Sequence, residues 1–311
     1  MDLPADGEVD TAAAAPDEGV WPGLVTVVIP VRNGAGTIEA QLSALSEQNY
    51  TGAWELLVSD NGSTDGTQAM VEGWRSKFEE LRLIDSSAVT GVSHARNAAV
   101  EAARGRFVAV CDADDVVTSS WLRELVAQSA PGAIIGGSFD EEALNDPVVL
   151  SWIHWSGRGS DGGMHPHLGF LPFARGSNIG VDKAVWSALG GWSESLLMGE
   201  DVDFSWRAQL AGVELRPAPE AIVHYRFRTD IRSTMRQAFK VGKSDAVLFA
   251  TFREHGISPP SLTRVLRTYL GLAARLPQAL VSPAWRGRCC RGLAYRAGRL
   301  SGSLRQRVWY P

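Results

Sequence analysis

The chain reads as an α/β protein, with a mostly parallel sheet covered by helices on both faces and a helical extension after it. Three observations predict this. Short apolar runs rich in β-branched residues alternate with helically spaced segments through the first half. The connections between them are short, as strand–helix–strand crossovers require. From Thr229 onward the strand signal ends and helical spacing continues to the last residue, broken near 258–261 and 282–285.

The elements follow in order. Residues 24–30 (LVTVVIP) form a buried strand stopped by Pro30, and 35–48 a helix with Ile38, Leu42 and Leu45 on one face. Residues 54–60 are a strand, 64–78 a helix opening on small polar residues, and 81–86 a strand. Ser93 is placed to cap a helix over 93–103. A strand over 106–112 and a helix over 118–128 complete the alternation. Residues 138–175 lose the rhythm and carry Trp152, His154, Trp155 and a Gly-rich stretch, the mark of a functional or mobile segment. Order returns with NIGV, a helix capped by Asp182, a helix GEDVDFSWRAQLAG closed by Gly212, and a strand AIVHYRF. The division expected is a disordered acidic tail over 1–22, an α/β domain over 23–228 and a basic helical extension over 229–311.

Charge is distributed unevenly. The whole chain carries −5, yet ten arginines and no Asp or Glu follow Glu254, so that end is +10 and the remainder −15. Such an end suits an anionic surface, the alternative being a helix pair docked by its apolar face on the acidic body with its arginines in solvent. The motifs below leave nucleic acid no purpose, so the expected partner is an anionic membrane surface, met by the leucines and arginines of 262–281. No apolar run reaches the roughly 20 residues of a membrane span, and the start has no export pattern. Three cysteines without metal spacing suit a reducing compartment. The expected location is cytoplasmic, peripheral at the inner face of the cell membrane.

Carboxylates gather where strands end, which is where ligands bind in such sheets. Asp60 opens SDNGSTDGT and is suited to a nucleobase N–H or a ribose hydroxyl, although turn and cap chemistry accounts for Asn61 to Asp65. In CDADD, Asp112 and Asp114 flank small Ala113. One carboxylate can face a sugar and the other a hard divalent cation, Mn²⁺ or Mg²⁺, which would also remove their mutual repulsion. Asp115 leads toward the next helix. Glu200 and Asp201 fall in a helix's first turn, either complementing the macrodipole or presenting a general base. His224 stands at a strand end, structural unless Asp114 holds a metal. Arg96 and Asn97 begin a helix near strand ends, suited to phosphate or base contacts or to a solvated face. The glycine fingerprints of dinucleotide, P-loop and serine-hydrolase sites are absent.

Together, VTVVIPVRNGAGTIEAQLSAL, LLVSDNGSTDGT, SHARNAAVEAARGRFVAVCDADD and GGWSESLLMGEDVDFSWRAQLAG resemble, in order, the motifs of the family 2 inverting glycosyltransferases of GT-A fold, a Rossmann-like architecture. The resemblance covers roughly residues 24–228. It implies that Asp60 binds the nucleoside of a nucleotide-sugar donor, a UDP-sugar foremost, flanked by backbone at Pro30 and Val31. It implies that Asp112 and Asp114 are the DxD pair. Asp112 and Ala113 serve the donor, and Asp114 is the metal ligand, with Asp112 able to join it and His224 completing the shell. Asp201 would deprotonate an acceptor hydroxyl with Glu200 in support. Read from the residues themselves, Arg96 is suited to contact the donor, and Trp192 either stacks on an acceptor sugar or is simply core. The acceptor expected is a sugar, lipid-linked or other hydroxyl, and a membrane-held arm suits envelope glycan synthesis. The chain has no Q-x-x-R-W, which points to single transfer, and Arg32-Asn33 replaces the usual aromatic-Asn, which alters the donor-base contact expected of Asn33. Two rival readings stand beside this one: a sugar-1-phosphate nucleotidyltransferase and a non-catalytic sugar-nucleotide-binding protein.

Overall fold

A computed structural model describes residues 21–153, 164 and 166–311. The acidic tail, apart from Trp21 and Pro22, lies outside the described residues, as do His154 and Trp155.

One sheet of eight strands runs in the order β3-β2-β1-β4-β7-β6-β8-β5. Strands β1 (Val25–Val31), β2 (Trp54–Asp60), β3 (Leu81–Asp85) and β4 (Phe107–Cys111) are parallel. Against β4 lies antiparallel β7 (Asn178–Asp182), then antiparallel β6 (Ala133–Asp140), then β8 (Glu214–His224), parallel to β6. Short β5 (Val116–Val117) closes the edge antiparallel to β8. The parallel strands are apolar at consecutive positions because both faces are covered. Val27, Ile29, Leu56, Val58 and Ala109 face α1 (Ile38–Ser46), α2 (Thr67–Gly73) and α4 (Trp121–Ala127). Val28, Leu57, Val108 and Val110 face α3 (Val92–Ala102), α6 (Lys183–Ala188) and α7 (Glu200–Leu210).

Strand β6 and helix α5 (Pro147–Trp152) are elements the apolar pattern does not announce. Two glycines interrupt β6. At Gly137 a Cβ would run into the Asn178 side chain, so close strand approach demands glycine there. Helix α5 has a sequence mark after all: Asp146 caps it, accepting from the Val148 N–H, with Pro147 at its first position. Ser93 is not a cap, since α3 starts at Val92 after Gly91 and the Ser93 hydroxyl is buried inside the helix.

The extension comprises α8 (Ile231–Phe252), α9 (Leu262–Val281) and α10 (Pro283–Gln306). Helix α8 adds Ala246, Leu248, Phe249 and Phe252 to a third core around Trp206 of α7, where Tyr310 stacks on Phe249 at 4.4 Å. Helices α8 and α10 meet backbone to backbone. A Cβ on Gly242 would strike the Tyr295 carbonyl, and one on Gly298 the Phe239 carbonyl. Buried Asp245 accepts from the Tyr295 hydroxyl and pairs with His167 at 3.0 Å, pinning α10 to the body. Docking on the body therefore describes α8 and α10 but not α9, none of whose residues is buried. No described helix is long and apolar enough to cross a membrane.

Gly298→Val should undo this contact. No rotamer relieves a clash with a backbone carbonyl, and overpacking costs about 1–3 kcal/mol or more. Calorimetry should show Tm lowered by several degrees; an unchanged Tm would mean that the helices do not approach this closely.

Candidate active site

The loops after β1 and β2 are laced together. Asn33, in the left-handed region at φ 54, accepts from the Thr64 N–H at 2.8 Å and donates its own N–H to the Ser63 hydroxyl. The Gly34 N–H donates to Thr67 Oγ1 and the Ala35 N–H to Asp65 Oδ2. Asn33 thus spends its side-chain oxygen on the loop, and Asp65 is the turn residue its sequence context indicates. The Asn61 N–H donates to the Val31 carbonyl at 2.8 Å, fixing the strand ends. Asp60, 1% exposed beside buried Pro30 and Val31, accepts from the Ser63 N–H and the Gln68 amide on Oδ2. Its Oδ1 is buried with no partner among the described residues. A buried acceptor left unmet is costly, and a nucleobase or ribose donor would satisfy it.

At the end of β4, Asp112, Asp114 and Asp115 each bring a carboxylate oxygen within 4.8 Å of the others. Asp115 accepts from the Arg226 N–H on one oxygen, while the other is buried without a partner among the described residues. Burial first, then the charges of Asp112 and Asp114, push Asp115 up to about 9, and burial and Asp112 raise Asp114. Arg228 Nη1 stands 3.4 Å from Asp114 Oδ2. Three hard oxygen donors with an orphaned buried oxygen fit a divalent cation, which would favour their ionised forms. The loop is held by Gln41, an amide on the buried face of α1 that donates to the Asp112 carbonyl and accepts from the Val117 N–H. A polar residue between Ile38 and Leu42 was the signal available for it.

Arg96 departs from expectation. It is 3% exposed and turned inward, with Nη1 donating to Glu200 at 2.6 Å and Nη2 to Asp112 at 2.9 Å. Burial opposes its charge, but Asp112, Glu200 and Asp201 hold its pKa above the ordinary guanidinium value. It is a positioning residue rather than a phosphate contact, tying the acid cluster to the first turn of α7. Gly176 makes room for it, since a Cβ there would lie 2.5 Å from Arg96 Nη1. The Gly176 N–H donates to Asp201 Oδ2 at 3.0 Å, and Asp201 Oδ1 takes the Val202 N–H at 2.8 Å. Asp201 is only partly buried and available to the cleft, whereas burial and then Asp201 raise the pKa of Glu200 against the pull of Arg96. From the other side, Ser244 of α8 donates to the Met198 carbonyl just before Gly199, the N-terminal cap of α7.

Removing Arg96 strands two carboxylates. Arg96→Met should destabilise the fold by about 3–5 kcal/mol, the cost of breaking a buried ion pair from one side, and raise KM for the donor. Chemical denaturation and initial rates check this; wild-type stability would mean that the pair is not formed.

Two expected residues stand as follows. His224 pairs across the ladder with Val116, next to Asp115; it is not in the described carboxylate group that meets metal spacing, and its Nδ1 is 3.0 Å from Asp140 Oδ2. Trp192 is 1% exposed and packs on Phe204 at 5.2 Å, so its ring is core and not a platform for an acceptor sugar. The side chain of Asn97 bonds the Trp192 backbone N–H and carbonyl, a structural role. Ala113 is buried between the two aspartates.

Sheet order and site together define a GT-A fold. A mannosyltransferase from Pyrobaculum calidifontis, solved with GDP-Man and Mn²⁺, superposes with a TM-score of 0.61 at 20% identity over 93% of this chain and 90% of its own. S. aureus TarS 1–349 with UDP-GlcNAc gives 0.53 at 17% identity over 92% and 93%. The sequence model for glycosyl transferase family 2 matches residues 26–184, about half of the chain, and the chain belongs to that family. Among relatives, glycosyltransferase AglE of Haloferax volcanii is 28% identical over 91% of this chain and 97% of its own length. Escherichia coli WfgD, a UDP-Glc:α-D-GlcNAc-diphosphoundecaprenol β-1,3-glucosyltransferase, is 37% identical over 41% of this chain and 49% of its own.

Proposed function

We propose that the protein transfers a sugar from a nucleoside-diphosphate donor, a UDP-sugar foremost, to an acceptor hydroxyl with inversion, assisted by Mn²⁺ or Mg²⁺, in envelope glycan or glycolipid synthesis. The observation that carries this is the Arg96 bridge, which joins the donor half of the site at Asp112 to the α7 turn bearing Asp201. Asp60 Oδ1 accepts from the nucleoside. Asp112, Asp114 and Asp115 would hold the cation, which when bound neutralises charge on the diphosphate leaving group. Asp201 accepts the proton of the acceptor hydroxyl, whose oxygen attacks the anomeric carbon from the face opposite the diphosphate. One displacement inverts the centre without the covalent intermediate of a retaining glycosidase. The donors and cation of the neighbours support this, and the lipid diphosphate acceptor of WfgD suits an enzyme working at a membrane surface. A peripheral membrane role for α9 fits its exposed leucine stripe: Leu262 is 72% and Leu280 80% exposed, with Leu266 and Leu270 between them.

The test is incubation with labelled UDP-sugars and Mn²⁺ followed by product analysis. Release of UDP and a product of inverted anomeric configuration is expected. Pyrophosphate release would mean nucleotidyl transfer, and an absence of turnover with any donor would leave a binding protein.

A further inference from the structure

Between α9 and α10 lies a cavity of about 440 Å³. Arg267 and Arg275 from α9 and Arg288, Arg291 and Arg296 from α10 line it, and no carboxylate does among the described residues. The arginines are held in place: Arg275 and Arg288 both stand over the Trp285 ring, at 5.4 and 4.9 Å, and Arg296 over Tyr269. Donors are left over. Arg296 Nε is buried without a partner among the described residues, and so is the indole Nε1 of Trp152, which also lines the cavity. Burial lowers the pKa of Arg291 and Arg296, and among the described residues neither forms an ion pair. Buried Asp245 stands behind Tyr295, already engaged by the Tyr295 hydroxyl and His167. Guanidinium groups with spare N–H donors and no counter-charge recognise phosphate oxygens.

We propose that this cavity is a binding site for the phosphate headgroup of a membrane lipid, separate from the sugar-transfer cleft. The lipid is chosen over a soluble phosphate because the exposed leucines run along the same helix, α9, that supplies Arg267 and Arg275. The assignment rests on the membrane-facing reading of α9. The leucine stripe would enter the headgroup boundary while the cavity takes one phosphate from it.

Flotation of the full chain tests this. The vesicles are phosphatidylcholine alone, with phosphatidylglycerol, or with phosphatidic acid, the two anionic sets matched in zeta potential. The exposed phosphomonoester should bind roughly tenfold more tightly, the worth of one added hydrogen bond to a charged group. Arg291→Gln/Arg296→Gln should erase that preference yet keep binding to phosphatidylglycerol. Leu266→Gln/Leu270→Gln should lose binding to every vesicle. Should the first pair unfold the arm, Arg267→Gln/Arg275→Gln, on exposed residues, replaces it. Equal binding to both anionic sets, or a preference that survives in the arginine variants, overturns the site while the membrane reading stands. Failure to float on any anionic vesicle overturns both. If inorganic pyrophosphate then raises Tm in the wild type and not in Arg291→Gln/Arg296→Gln, the cavity serves a soluble phosphate.

Discussion

Asp201→Asn is expected to lower kcat by roughly 10²–10⁴-fold, the usual contribution of general base catalysis, with donor affinity kept. The amide is nearly isosteric and cannot take a proton at neutral pH. It leaves the Arg96 bridge to Asp112 and Glu200 intact, so the donor half of the site is untouched. One cost accompanies it. Asp201 accepts two backbone N–H groups, from Gly176 and Val202, and an amide accepts only through its oxygen. A Tm measurement alongside the rates separates that loss from the loss of the base. Steady-state kinetics at saturating donor and acceptor give kcat, and calorimetry with UDP and Mn²⁺ gives affinity. A near-normal kcat would move the role to Glu200, the neighbouring carboxylate.

Asp114→Ala should abolish the cation-dependent part of both donor binding and turnover. Charge stabilisation by a bound cation is worth several kcal/mol, so kcat/KM should fall on the order of a thousandfold. Asp112→Ala should weaken the donor and also free one arm of Arg96. The pH dependence follows from Asp115. Its folded pKa of about 9 lies above the ordinary carboxylate value, so between about 4 and 9 the folded chain binds the extra proton. Stability without cation therefore falls as pH rises through that window. A cation competes with the proton, so the Tm gain from Mg²⁺ should be larger at pH 8 than at pH 5. Full activity of Asp114→Ala in the presence of chelator would remove the cation from the reaction.

Much of the architecture was legible because burial on both faces leaves a continuous apolar signature in β1, β2 and β4. Strand β6 was not, because its glycines answer to residues far away in sequence, Gly137 to Asn178 and Gly136 to Met164 and Ala174. The carboxylates were legible for a similar reason: strand ends are marked by the run that precedes them. The role of Arg96 was hidden because its partners stand 16 and 104 residues away and nothing local distinguishes a buried arginine from a solvated one. His224 and Trp192 carried no local mark of direction. A tryptophan after two glycines is equally compatible with a cleft and with a core, and packing placed Trp192 in the core, whereas half-buried His224 stays beside the acid cluster.

The hydroxyl of Ser244 has a consequence for how the molecule behaves as a machine. It joins α8 to the residue before the α7 cap, and α8 is locked to α10 through glycines that admit no slack. Helix α10, helix α8 and the turn that carries Asp201 are therefore joined in series by direct contacts. Shortening the chain near Glu254 would not yield a trimmed enzyme with a weaker grip on a surface. It would strip α10 and Tyr310 from their core and let the α7 turn drift, and the defect would be read first in the chemical step.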